Sequence, residues 1–224
     1  MKALVISGAG RYADPWHDFA GTSQRLAELL GGMGLDAEVA TLGTEEPPAD
    51  PIDLLVVNAG GGSTPREVED TPEDQRAEAL AEWARQAAAS AAPVLATHTS
   101  ANTFYDDARW AELLGGRWIP GTSWHPPMAP TTVQVTSVAH PITAGMSELA
   151  VTDERYCDLE LLAEVDVLVD HAQDERRHPL VWAHEHGARR VVYDALGHDR
   201  PAYEAPDRQR LLAREVDWLL HRTG

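Results

Sequence analysis

One cysteine in 224 residues, Cys157, leaves no partner for an intramolecular disulfide and excludes a cysteine-rich metal cluster, as expected of a chain kept in a reducing cytoplasm. No stretch approaches the ~18 consecutive apolar residues of a membrane-spanning helix, and the opening MKALVIS is too short to act as a secretion signal. Basic residues are scarce: 18 Lys and Arg against 36 Asp and Glu give a formal net charge of −18. Such a surface repels phosphate backbones and anionic membranes, so nucleic acid and membrane are not expected partners, which leaves room for a small-molecule substrate. Internal repeats are absent. The length suits one domain over residues 1–224, able to bury roughly 70% of the surface its unfolded chain exposes.

What is present is an alternation of strand and helix patterns. Lys2–Ser7 (KALVIS) is a short apolar run ending at glycine, followed over Ser23–Met33 by Leu26, Leu29, Leu30 and Met33 on one helical face. Asp36–Thr41 and the nearly all-apolar Asp53–Asn58 read as the second and third strands. A helix then opens at Thr71-Pro72, with Glu73 and Asp74 in its first turn and Leu80, Trp83, Ala84 and Ala87 facing inward. Pro93–His98 is the fourth strand, central in the sheet and ending at His98. Strands follow at 131–136, 165–170, 179–183 and 189–194, the last two joined by a turn at His186-Gly187, and Pro206 opens a final amphipathic helix. Residues 44–51 and 60–65 read as surface loops. This order predicts an α/β fold, a doubly wound, mostly parallel sheet.

Ligands of such sheets bind beyond the carboxyl ends of the strands. The polar residues expected there are His17 after the first strand, Asn58, Gly60 and Gly61 after the third, His98 and Thr99 after the fourth, and His198 and Asp199 after the last.

His17-Asp18-Phe19, His98–Phe104 (HTSANTF), Leu114-Gly115-Gly116, His125-Pro126, His140-Pro141-Ile142-Thr143 with Gly145-Met146, Asp153-Glu154 with Tyr156, and Gly197-His198-Asp199 form an ordered series. It resembles the motif series of the ThuA-like (trehalose utilisation) family. The resemblance implies a flavodoxin-like fold similar to class I glutamine amidotransferases, with His98 at the sharp strand-to-helix turn where those enzymes carry their nucleophile. It also implies a role in carbohydrate metabolism, on a disaccharide or a keto-sugar. The expected catalytic set is His17, His98, His125, Glu154, His198 and Asp199, the first five of them sharing one cleft. The expected substrate-binding set is Asn58, Gly60, Gly61, Thr99, Trp124, Asp153 and Tyr156.

An amidotransferase needs a thiolate at that turn, and position 98 is histidine, so glutamine hydrolysis is not expected. Cys157, flanked by Asp158, is expected to be inert. A histidine and carboxylate set can instead move protons near neutral pH or hold a divalent ion such as zinc or manganese, although no tight ligand spacing marks a metal site. His184-Glu185-His186 falls in an expected turn and reads as solvated. Gly8-Ala9-Gly10-Arg11-Tyr12-Ala13 matches a dinucleotide loop, but Asp14-Pro15 stands where a helix should open. Thr99 and Ser100 read as backbone-bonding turn residues. Trp83 and Trp218 read as core, while Trp16, Trp118 and Trp124 sit in loops suited to stacking on a sugar. A non-catalytic metabolite-binding or regulatory protein is the alternative reading, and a homo-oligomer is compatible with either.

Overall fold

The protein's computed structural model describes residues 1–42, 51–61, 71–90, 92–105 and 107–222. The expected loops at 44–51 and 60–65 fall largely outside them, as do the side chains of Glu73 and Asp74. Strands β1 (Lys2–Ser7), β2 (Asp36–Thr41), β3 (Leu54–Asn58) and β4 (Val94–Thr97) are followed by the two-residue β5 (Gly116–Arg117). Then come β6 (Ala129–Val135), β7 (Glu148–Asp153), the two-residue β8 (Glu160–Leu161), β9 (Asp166–Gln173), β10 (Arg176–His186) and β11 (Arg189–Asp194). Nine of these form one sheet in the order β2-β1-β3-β4-β11-β10-β9-β6-β7, and β5 pairs with β8.

The first five strands of that order are parallel and the remaining pairings antiparallel. Both β3 and β4 are buried at every residue, as strands covered on two faces must be. By contrast β7 alternates between exposed and buried, presenting Leu149, Val151 and Asp153 inward. Helix α1 (Phe19–Gly32) starts four residues before the expected Ser23, because the Asp18 carboxylate accepts the Gly21 N–H at 2.9 Å and caps it. Helices α2 (Pro72–Ser90), α3 (Ala108–Leu114) and α4 (Pro206–Leu219) complete the layers. The β1-α1-β2 and β3-α2-β4 crossovers run in opposite directions from the sheet centre, so right-handed connections place α1 and α2 on opposite faces. That reversal opens a crevice beyond the strand ends. No dinucleotide loop forms: after β1 the chain makes one 3₁₀ turn (Gly10–Tyr12), and α1 opens only at Phe19. Among the described residues no helix is long and apolar enough to cross a membrane.

Beneath the loop after β11 lies a charged group with no exposure at all. Arg208, in the first turns of α4, approaches Asp194 at 2.9 Å and Glu215 at 3.7 Å, and its guanidinium lies over the Tyr203 ring. Burial and the adjacent Asp194 push the Glu215 carboxyl well above ordinary carboxylate values. Asp194 also accepts the Leu196 N–H at 2.8 Å, which fixes the chain as it leaves the sheet.

Candidate functional site

β4 ends at Thr97, and His98 turns the chain into a 3₁₀ helix with a φ of 47°, a left-handed conformation uncommon for a residue with a side chain. The turn projects the imidazole across the end of β11, where Nδ1 lies 2.6 Å from the Ala195 carbonyl oxygen. A carbonyl can only accept, so this contact assigns the proton to Nδ1 and leaves a lone pair on Nε2. Burial pushes His98 down to about 4, outweighing Glu154 and the carbonyl, which favour protonation. At neutral pH the ring is therefore uncharged, with Nε2 as an acceptor.

His17 reaches the same point from the loop after β1. Its Nδ1 contacts the Asp14 carboxylate at 2.7 Å, and burial of Asp14 is outweighed by that bond, which holds the acid below its ordinary value. The His17 proton thus belongs to Nδ1 as well, and the two Nε2 atoms meet at 3.1 Å. Two lone pairs at that distance repel unless a proton or a cation lies between them.

Glu154, just past β7, supplies the negative charge. Its Oε2 is 3.4 Å from His98 Nε2 and 3.4 Å from His198 Nδ1, and its Oε1 is 3.5 Å from His125 Nδ1. Burial opposes its ionisation, but the imidazoles of His198 and His98 hold the carboxyl well below the usual range. Contact with Glu154 raises His198. Among the described residues, neither Glu154 Oε2 nor His198 Nδ1, both buried, finds a hydrogen-bond partner. One donor atom from each of His17, His98, Glu154 and His198 lies within 4.8 Å of every other. Such a set can hold a metal ion, and two of its imidazoles are oriented as metal ligands usually are, by an acceptor on the far nitrogen.

Over the cluster opens a cavity of about 180 Å³, lined in part by Asp14, Trp16, Asn102, Trp118, His125 and Tyr156. The Tyr156 hydroxyl lies 2.9 Å from His98 Nε2, the same nitrogen that faces His17. His125 thus joins the cluster from the cavity wall. Asp199 stands apart, accepting the Ala202 N–H at 2.8 Å and capping the turn before α4.

The expected substrate-binding residues divide. Tyr156 and Thr99 border the cavity, although the Thr99 hydroxyl is spent on the Ala59 carbonyl. Asn58 points away into α1, donating to Thr22 and Ser23. The Gly60 N–H donates to the Tyr12 carbonyl, and Gly61 packs so closely on Asn102 that a side chain would clash. Trp124 donates its indole N–H to Asp158 at 3.0 Å, away from the cavity lining. Asp153 is 1% exposed and, among the described residues, bonds only backbone N–H groups. Burial pushes its carboxyl up to about 7, while those N–H donors pull the other way.

His184 and His186 close strand β10 and do not occupy a turn, and the His184 ring meets the Leu113 carbonyl at 2.8 Å. Trp16, 74% exposed, and Trp118 flank the cavity, while Trp83 and Trp218 pack partly buried against the core. Cys157 has no exposure, and burial pushes its thiol up to about 11. A thiol so placed is neither nucleophile nor ligand at neutral pH. It is expected to resist a water-soluble disulfide reagent until the chain is unfolded, and Cys157→Ser should leave ion binding and activity within about twofold of the parent. Rapid labelling of the folded protein would contradict this.

Comparison with known proteins agrees with this architecture. The family model described as ThuA, trehalose utilisation, matches residues 50–219. A ThuA-like protein from Parabacteroides merdae superposes with a TM-score of 0.73 at 19% identity, covering 98% of this chain and 89% of that one. A second, from Bacteroides uniformis, gives 0.72 at 15%, covering 97% and 90%. A glutamine amidotransferase from Thermotoga maritima gives 0.57 at 11%, covering 98% and 97%, a likeness of fold alone. No curated protein matches.

Proposed function

Because the chain belongs to the ThuA (trehalose utilisation) family, we propose that it is an enzyme of carbohydrate metabolism whose working group is a divalent ion held by His17, His98, Glu154 and His198. The observation that carries this is the 3.1 Å approach of two imidazole nitrogens whose protons are committed elsewhere, beside a carboxylate oxygen without a hydrogen-bond partner among the described residues. Four protein donors would close a tetrahedral zinc site, so an ion that also accepts substrate is one of higher coordination, manganese or an expanded zinc. Bound there, such an ion supplies Lewis-acid polarisation of a carbonyl or activation of a water.

The remaining residues serve substrate. Burial and neighbouring negative charge hold the Tyr156 hydroxyl well above its ordinary pKa, so it stays a donor, available to a substrate oxygen once His98 Nε2 is engaged. His125, exposed at the cavity wall and 3.5 Å from Glu154, stands between the cluster and solvent, where it can meet a substrate hydroxyl. Trp16 and Trp118 offer flat apolar faces to a sugar ring. No Lys or Arg is among the described residues lining the cavity, which favours an uncharged disaccharide or keto-sugar over a phosphorylated one.

The same contact supports a second reading, in which a proton shared by His17 and His98 does the work as an acid–base pair. A sugar panel assayed before and after chelation separates the two. Turnover lost on chelation and restored by zinc or manganese supports the ion, turnover indifferent to chelation supports the proton, and no turnover on any sugar defeats the enzymatic reading.

A further inference from the structure

One carboxylate outside the cluster holds two of its four donors in place. Asp153 is the last residue of β7, at the far edge of the sheet from β1, and its side chain points inward under the loop that follows β11. Its Oδ2 accepts the Gly197 N–H at 2.7 Å, and its Oδ1 accepts the His198 N–H at 3.1 Å and the Glu154 N–H at 2.9 Å. Each of these N–H groups lies in a loop, where no ladder or helix would otherwise take it. Gly197 is bent to a φ of 117°, and a side chain there would strike the Tyr203 hydroxyl, so the loop can follow this path only with glycine.

From this geometry we infer that Asp153 is a positioning residue that ties the backbones of Glu154 and His198 together and so sets the angle at which their side chains meet. The inference rests on the reading of the cluster as a metal centre. Glu154 and His198 follow strands separated by three others in the sheet, and neither backbone is set by pairing with the other. A carboxylate can accept all three bonds because it is acceptor-only. An amide of the same size cannot, since its NH₂ group would confront at least one of the N–H donors.

The test compares untagged parent, Asp153→Asn and Leu30→Ala protein. Leu30→Ala removes a fully buried side chain near the end of α1 and serves as a destabilised control. Zinc and manganese are titrated into each, and amide exchange is followed at Gly197 and His198. Asp153→Asn is expected to weaken ion binding about 10–100-fold and to speed exchange at both amides, whereas Leu30→Ala lowers stability and leaves ion affinity unchanged. Equal ion affinity in Asp153→Asn and parent overturns the inference, even where thermal stability falls. If the parent binds neither ion, the metal reading fails, and the clamp is judged by exchange alone: faster exchange in Asp153→Asn supports it and unchanged exchange overturns it. Unprotected Gly197 and His198 amides in the parent would overturn it without any variant, which keeps the test open should Asp153→Asn not fold.

Discussion

His98→Asn is expected to lower ion affinity and, on any substrate turned over, kcat/KM by at least about a hundredfold, near 2.7 kcal/mol in the barrier. Asparagine is the informative replacement because it tolerates the left-handed backbone that His98 adopts, so strain does not add to the loss of the ring. The size of the effect follows from position. His98 Nε2 is the atom on which His17, Tyr156 and Glu154 converge, at 3.1, 2.9 and 3.4 Å. Its other nitrogen is fixed by Ala195, so no rotation of a neighbour restores a donor at that place. Isothermal titration with manganese and zinc, on protein shown folded by circular dichroism, measures the loss. A His98→Asn protein that binds ions like its parent would remove His98 from the site.

The largest effect on stability is expected at Arg208. Removing one partner of a fully buried ion group leaves uncompensated charge in the interior and costs about 3–5 kcal/mol. Arg208→Met keeps the volume of the stem while stranding Asp194 and Glu215, neither of which has any exposure. At about 2–4 °C per kcal/mol for a chain of this size, the midpoint of thermal unfolding should fall by roughly 10 °C. Adding Asp194→Asn and Glu215→Gln should recover part of that loss, since the stranded charges are then gone. Because Asp194 holds the Leu196 N–H next to the carbonyl that orients His98, ion affinity should fall too. A fall in stability under about 1 kcal/mol by urea denaturation would mean the group is not the buried network described.

Neither Arg208 nor its partners stood out in the sequence, and the reason is general. An arginine two residues after a helix-opening proline reads as solvated, because arginine is rarely buried and a pattern of apolar residues cannot reveal a charge paired inside the core. The parallel strands were legible because β3 and β4 are continuous apolar runs bounded by polar turns. β7 was not, since half its residues face solvent and Asp153 stands at an inward position. α3 was too short to show a period.

At the site, the rule that ligands gather beyond strand ends named His17, His98 and His198, and the family motifs named Glu154. The same rule also nominated Asn58, the last residue of β3, and Gly60 just beyond it, which turn toward α1 and Tyr12. Which way a side chain leaves a strand end depends on the helix packed beside it, and that is a tertiary fact. The meeting of two imidazole lone pairs is likewise invisible in sequence, because it depends on which nitrogen Asp14 and Ala195 occupy.

The central claim is most directly tested by elemental analysis of protein purified without a histidine tag, with metal per chain counted in the parent and in a His17→Ala/Glu154→Gln variant. Close to one equivalent of manganese or zinc is expected in the parent, and close to none in the variant, with both chains folded. A parent that carries no ion as isolated, takes up none from micromolar zinc or manganese, and is indifferent to chelation would contradict the metal centre and leave the His17–His98 pair to share a proton.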